Sequence, residues 1–394
     1  MFFNSLVKLS IATTMALSIS ILNADEFDDD GFGGEEEIKI VKQEAKKPYS
    51  LYGNIKTSTS YNTSKNEGIS SLKLSTNTHL DYDINDKMKF KSTLNAYIDD
   101  KTDIKYDYDI DLNEAYIQMK LTSKIDFTIG RQIVVWGKSD NIRITDNLNP
   151  MDLTTPGMTD IKDLRLGRFM SKLDYATSNG WDISTIILHE NRYSTMPQSG
   201  SEYYIPVQFP NEPSNSIDNS GLAISASANL QGSDIAFYAS NDWVDNKTYK
   251  TNMLGFAYNI VKGSYLFKTE AAYFDNYDSD LEDSKIDALA GIEYTGFTDT
   301  TLSFELANKN DQIQYALRAT KSYINDTLDL TLLYNVYGKN LDEGGFVRVW
   351  ADYDINDQFT SSVGYINYLN SEQQNYFDSI EDNDRLFASL AYNF

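Results

Sequence analysis

From Tyr49 to Phe394 the chain alternates apolar and polar residues in eighteen short stretches. Leu72, Leu74, Leu80 and Tyr82 fall on one parity, with Lys73, Ser75, Asn77, His79 and Asp81 on the other. The same holds for Leu328, Leu330, Leu332 and Tyr334 against Thr327, Asp329, Thr331 and Asn335. A period of two is the signature of a β-strand with unlike faces. After the first 24 residues no apolar run is long enough for a membrane helix. In lipid, backbone groups find partners only within the protein, so strands cross a membrane only as a closed barrel. A charge on the lipid side near mid-membrane costs about 2–4 kcal/mol, so the polar rows are expected to enclose a wet lumen.

The connections take turns in length. Short ones fall at about 84–86, 122–124, 178–180, 231–233, 261–263, 296–299, 324–326 and 355–357. They are rich in Asn, Asp and Gly, which tolerate the backbone of tight hairpins, and three share an Ile-Asn-Asp triplet. Longer polar ones fall at about 62–68, 99–108, 137–163, 192–218, 241–248, 275–284, 308–312, 338–344 and 370–384. The expected fold is an all-β, transmembrane, antiparallel up-and-down barrel of about eighteen strands, or sixteen if one weak hairpin is misread. Short turns belong on the periplasmic side and long loops outside. A barrel this wide leaves an aqueous channel. Tyr49, Tyr61, Tyr97, Tyr175, Tyr273, Tyr294, Tyr353 and Tyr392 sit near segment ends, as aromatic girdles do. A secreted all-β sandwich would also alternate, but without this regular exchange of short and long connections.

Three regions follow. Residues 1–24 read as a secretory signal, with Lys8 before an apolar stretch from Leu9 to Leu22. Residues 25–48 read as a charged periplasmic extension without lasting periodicity, and 49–394 as the barrel. The location implied is the outer membrane of a Gram-negative bacterium, reached by Sec-dependent export, with outer-membrane lipid and lipopolysaccharide as surroundings. The chain has no cysteine, so disulfides, thiolate metal sites and a lipoprotein anchor are excluded. A net charge of −24 argues against nucleic-acid partners.

Inward parity assigns the lumen charges. Lys56, Lys73, Lys89, Lys91, Arg168 and Lys172 lie on the early strands, and Glu270, Asp287, Glu293 and Glu305 on later ones. Facing one another across water, these rows would set up a transverse field. Lys268, Arg318 and Arg348 break the segregation, and neighbouring charges that merely pair and hydrate the lumen are the alternative.

The most distinctive segment runs Gly130-Arg131-Gln132, then Trp136-Gly137, Arg143, Asp146, Asn149-Pro150 and Asp152, with Arg165 beyond. Gly130 interrupts the row of Phe127 and Ile129, where a bulge would swing Arg131 into the lumen. The following loop mixes Ile142, Ile144, Leu148, Met151 and Leu153 with charges. A loop with that apolar content either folds into the barrel mouth as a constriction or packs outside, under the 192–218 loop.

The Gly-Arg-Gln…Trp-Gly…Asn-Pro-x-Asp element resembles an uncharacterised proteobacterial outer-membrane barrel family that often accompanies export pumps of the resistance–nodulation–division type. Weaker similarity is to alginate-export-type barrels and porins. The resemblance implies envelope transport, with an inner-membrane exporter of that type as a partner, and carries no catalytic residue. The terminal Tyr392-x-Phe394 is similar to the signal read by the barrel-assembly machinery.

No constellation for enzymatic work is present. His79 and His189 are the only histidines; spacing alone leaves a Ser–His pairing open, but no sequence constellation supports one, and both read as ordinary polar or interfacial residues. Asp107, Asp109, Asp111 and Glu114, and Asp275, Asp278, Asp280, Glu282 and Asp283, are acidic enough to attract divalent cations. The first run has Leu112 where an EF-hand loop needs glycine, and no metal or cofactor is expected. The expected function is a porin-like channel for passive passage of small polar solutes. Two alternatives are an export partner for hydrophobic envelope compounds and a structural or adhesive surface barrel. A homotrimer and a monomer would present the same lipid-facing rows.

Overall fold

The computed structural model describes residues 47–64, 67–99, 108–278, 283–371 and 376–394. The expected signal segment and almost all of the charged extension lie outside the described residues. Eighteen strands follow in order: β1 Tyr49–Asn62, β2 Gly68–Asn85, β3 Met88–Asp99, β4 Tyr108–Lys120, β5 Ile125–Gln132, β6 Arg168–Ala176, β7 Trp181–Leu188, β8 Gly221–Leu230 and β9 Ser233–Trp243. The second half comprises β10 Lys250–Lys262, β11 Tyr265–Asp278, β12 Asp283–Phe297, β13 Thr300–Lys309, β14 Gln312–Tyr323, β15 Leu328–Tyr337, β16 Glu343–Asp354, β17 Phe359–Ser371 and β18 Arg385–Asn393. Each strand pairs antiparallel with its sequence neighbours.

β1 also pairs with β18, from Asn54 opposite Asn393 to Asn62 opposite Arg385, so the sheet has no edge. The last residue completes this seam: Phe394 N–H donates to Gly53 O at 3.0 Å, and Gly53 N–H to Phe394 O at 2.9 Å. The Tyr392 ring lies 5.2 Å from that of Phe359 on β17. Closure satisfies the backbone groups that an open edge would expose to lipid.

Eight connections of two to four residues lie at one end of the barrel, at the turns expected from sequence. At Ile324-Asn325-Asp326 all three φ values are positive, at 54°, 54° and 62°. The other nine connections form the opposite, long-loop end, although that between β13 and β14, expected to be longer, is a two-residue hairpin. Leu72, Leu74, Tyr82, Leu254, Leu330 and Val363 project outward, as parity requires. Tyr97 is a correction: it faces the lumen, where Lys73 Nζ sits 3.8 Å from its ring centroid, and so does not belong to a girdle.

The lumen is divided. The connection from β5 to β6, residues 133–167, turns inward and packs Trp136, Ile142, Ile144 and Leu148 against the wall from β6 to β14. There the inward row is unusually small and apolar, with Ala223, Ala236, Ala257, Ala272, Ala307 and Ala316 on six strands. These alanines leave room for the loop, and the contact removes apolar side chains from lumen water, worth roughly 1.5–3 kcal/mol for each large one. The opposite half, along β14 to β18 and β1 to β4, stays open.

Candidate functional site

The inward loop is built in three parts: a stem, a tip and a return arm. At the stem, Asn149 stands where β5 ends and β6 begins. Its Oδ1 accepts from Val134 N–H at 2.8 Å, and its Nδ2 donates to Leu166 O at 2.8 Å and to Gln132 O at 3.3 Å. Pro150 O accepts from Leu166 N–H at 2.8 Å. Asp146 gathers both loop arginines: its Oδ2 lies 2.8 Å from Arg165 Nε and 3.2 Å from Arg143 Nε. Its Oδ1 accepts from Trp136 N–H at 3.3 Å. Arg143 Nη2 donates back to Asn149 O at 3.0 Å. Trp136 stacks on Tyr238 of β9 with ring centroids 4.8 Å apart. Asp152 Oδ1 caps Thr154 N–H at 3.0 Å, and its backbone bridges to Thr195, tying this loop to the next. These distinctive residues therefore hold a loop in shape; none of them points a free charge into water.

The tip is held by two wall carboxylates. Glu270 Oε1 accepts from Lys138 N–H at 2.6 Å and Ser139 N–H at 2.7 Å; its Oε2 accepts from Thr145 N–H at 3.2 Å and Thr145 Oγ1 at 2.8 Å. Glu305 Oε1 accepts from Asp140 N–H at 2.8 Å, and its Oε2 from Asn141 and Ile142 N–H, each at 3.0 Å. A loop without secondary structure must satisfy its backbone somehow, and charged acceptors do so with short, strong bonds. Gly137 has φ +83°, and a Cβ there would lie 2.9 Å from both Glu270 carboxylate oxygens. Lys268 completes the clamp, bonded to Asp140 and 3.4 Å from Glu293.

The return arm crosses to the far wall. Asp160 pairs with Arg318 of β14 at 2.9 Å and with Arg348 of β16, and Arg348 Nη1 donates to Gly157 O at 2.9 Å. The Arg348 guanidinium lies 3.9 Å from the Trp350 ring centroid. Burial disfavours the charged form of Asp160, but the Arg348 and Arg318 guanidiniums hold its carboxyl below the usual range. Burial pushes the Asp163 carboxyl up, with Lys162 and Lys56 among the charges acting the other way.

Several expected charges sit elsewhere than the sequence suggests. Glu270 and Glu305 are each 1% exposed, and Asp287 is equally buried, paired with Lys285 at 2.7 Å. They form no acidic row looking across water: the loop covers Glu270 and Glu305, Asp287 is spent on Lys285 and on Asn310 N–H, and Glu293 lies beside Lys268. Arg168 is likewise buried, 2.6 Å from Asp242 and bonded to Leu148 O at 2.9 Å. Lys172 pairs with Asp174 at 2.7 Å, Lys89 with Asp83 at 3.1 Å and Lys91 with Asp81 at 3.3 Å. Arg131 is a further correction. The pairing of β5 runs past Gly130 without a bulge, so Arg131 shares the outward parity of Phe127 and Ile129. It lies toward the long-loop end with its Nε 3.2 Å from Glu190 Oε2. Gly130 has φ +135°, and a Cβ there would lie 2.3 Å from Ala115 O, so the close approach of β4 accounts for this glycine.

What remains open is a cleft of about 1260 Å³. At the long-loop end its lining includes Glu67, Asp109, Glu202 and Arg385; at the short-turn end it includes Asp329, Asp352 and Ser362. Lys56 and Lys73 stand on one side at mid-height, and Asp160, Lys162 and Asp163 of the return arm also line it. Lys56 is close enough to act on the Asp163 charge. The sequence reading missed Asp160, Asp163, Asp242 and the alanine wall, and it named Lys268 only as a charge that breaks the segregation. Inward-parity alanines on six of the seven strands from β8 to β14 were the available signal, since a wet lumen does not call for them.

His79 Nδ1 lies 3.0 Å from Thr93 Oγ1, and His189 Nε2 lies 2.9 Å from Ser171 Oγ on the outward face. Among the described residues no group of His, Asp and Glu could hold a metal ion. Of the two acidic runs, Asp107, Asp280 and Glu282 lie outside the described residues.

A family model described as "Protein of unknown function (DUF1302)" matches residues 49–342. The chain belongs to this family. The DUF1302 match begins with β1 and ends after β15, so it spans the inward loop and both of its carboxylate anchors. A comparison with curated proteins finds no match. Among solved structures, this DUF1302 barrel is similar to the outer membrane protein OpdK from Pseudomonas aeruginosa, with TM-score 0.56, 8% identity and coverage of 88% of this chain and 99% of that one. The structure of OpdK with vanillate gives TM-score 0.57 at 7% identity, covering 88% and 98%. Salmonella typhi OmpF in complex with daunomycin gives 0.45 at 11% identity, covering 88% and 97%. At these identities the OpdK likeness speaks for the fold.

Proposed function

We propose that the protein is an outer-membrane porin-like channel that lets small polar solutes pass down their gradient. The observation that carries this reading is the cleft whose lining reaches both ends of the strands, beside a loop anchored so as to narrow the lumen without filling it. The outward rows supply the face that lipid requires, and the short turns belong on the periplasmic side, as in other barrels of this kind. No chemical step is needed: selection comes from width and from the charges that line the narrow part.

Those charges differ from the pattern expected from strands alone. Lys56 and Lys73 stand on β1 and β2, and the opposing negative charge comes from Asp160 and Asp163 on the loop. Asp160 is largely spent on two arginines, so Asp163 is the freer anion. A dipolar solute crossing this narrow part would be oriented by the field between them. That is the transverse field in altered form, with its acidic side carried by the loop.

Purified protein reconstituted in planar bilayers is expected to give stepwise single-channel currents in potassium chloride. A preparation with heat-modifiable mobility that passes no current would overturn the reading.

A further inference from the structure

On the other side of the inward loop lies a second cavity of about 410 Å³. Its lining places it toward the short-turn end. Gln118 comes two residues before the end of β4, Ser184 three after the start of β7, and Ser227 three before the end of β8. Toward the long-loop end this half of the lumen is closed by Leu148, Met170, Ile186 and Leu188, all fully buried. A solute that enters here from the short-turn side meets a wall, so the cavity is a recess apart from the open cleft.

The chemistry of the recess is unlike that of the cleft. The chain from Ile133 to Trp136 lines it, and Val135 is 57% exposed although it lies inside the barrel. The half-buried Tyr116 ring adds aromatic surface, whereas Trp136 and Tyr238 are buried and stacked on each other, and Gln118, Thr128, Ser184, Ser225 and Ser227 make the rest of the lining polar. Apolar surface held in lumen water is unfavourable in proportion to its area, and a solute that covers it recovers that energy. Among the described residues, the charged side chains lining the recess are both lysines, in a chain with net charge −24. Lys172 is already paired with Asp174, whereas the Lys138 ammonium has no partner among the described residues. Lys138 is also fixed at its backbone by the bond to Glu270, which limits the entropy lost when a ligand engages it. Val135 and the Tyr116 ring beside one free cation, in a wall of hydroxyls and amides, match a small molecule with a compact apolar face and a single negative group.

We propose that this recess is a binding site for a small amphipathic anion, held by Val135 and the Tyr116 ring at its apolar face and by Lys138 at its charge. The site stands apart from the channel reading: a barrel that fails to conduct would sink that reading and leave the recess in place.

The test uses the full chain in lipid nanodiscs, with 4-(trifluoromethyl)benzoate as probe and fluorine NMR as readout. Saturable binding is expected, weakened about tenfold by Lys138→Gln through loss of the charged contact, and more strongly by Val135→Asp. The uncharged analogue 4-(trifluoromethyl)benzyl alcohol should bind about tenfold more weakly than the benzoate. Equal binding of acid and alcohol, unchanged binding in Lys138→Gln, or no saturable binding would each overturn the proposal. If Val135→Asp loses heat-modifiable mobility, the Lys138→Gln change and the acid–alcohol comparison decide the matter.

Discussion

Replacing Glu270 and Glu305 together by alanine is expected to raise single-channel conductance about twofold, because the loop they hold blocks one half of a lumen wide enough to conduct. The two carboxylates take six backbone N–H groups and one hydroxyl from residues 138–145. Bonds to a charged acceptor contribute roughly 1.5–3 kcal/mol each, and a buried donor left without one costs about 1–3 kcal/mol. The apolar contacts of Trp136, Ile142 and Leu148 with the alanine wall oppose release, but they cannot satisfy the freed backbone groups. The loop tip should therefore leave the wall and open the closed half. Trypsin should then cut at Lys138 or Arg143, sites protected in the parent protein. Unchanged conductance together with unchanged protease resistance would show that the carboxylates do not hold the loop.

A second large effect is expected in ion selectivity. Lys56→Glu combined with Lys73→Glu reverses the sign of two charges lining the cleft, opposite a loop that already carries Asp163. In a potassium chloride gradient the reversal potential should move toward that of potassium by on the order of tens of millivolts. Lys89→Glu with Lys91→Glu should do much less. Those lysines pair with Asp83 and Asp81 close to the β2–β3 turn, away from the narrow part. Equal shifts from the two double variants would mean that selectivity is set by overall charge and not by the narrowing.

The fold was legible because lipid leaves few solutions. Parity alone placed Leu72 and Leu330 outside and Lys73 and Thr331 inside, and Asn, Asp and Gly marked the turns. Parity also says that Glu270 and Glu305 point inward, but not what stands in front of them. That depended on a distant loop whose apolar residues match alanines on six of the seven strands from β8 to β14. Arg131 misled for a related reason. The glycine before it suggested a bulge, whereas the strand continues regularly, and the glycine answers a close approach of Ala115 O. Asn149 and Asp146 stood out as members of a conspicuous motif in a candidate constriction loop, and the motif does not say what they bond to. They are spent on backbone groups and on Arg165. Local pattern fixes which side of a strand a residue occupies; only packing decides whether that side meets water.

The chain contains no cysteine, so a single introduced thiol can be labelled without background. The most direct measurement is single-channel recording of Lys56→Cys while a bulky charged methanethiosulfonate reagent is added, with Leu74→Cys as the outward-facing comparison. Lys56 lines the cleft and Leu74 lies on the neighbouring strand with its side chain outward. An irreversible stepwise fall in current is expected for Lys56→Cys and none for Leu74→Cys. A current unaffected at Lys56→Cys, or blocked equally at both positions, would contradict an ion path through the cleft beside the inward loop.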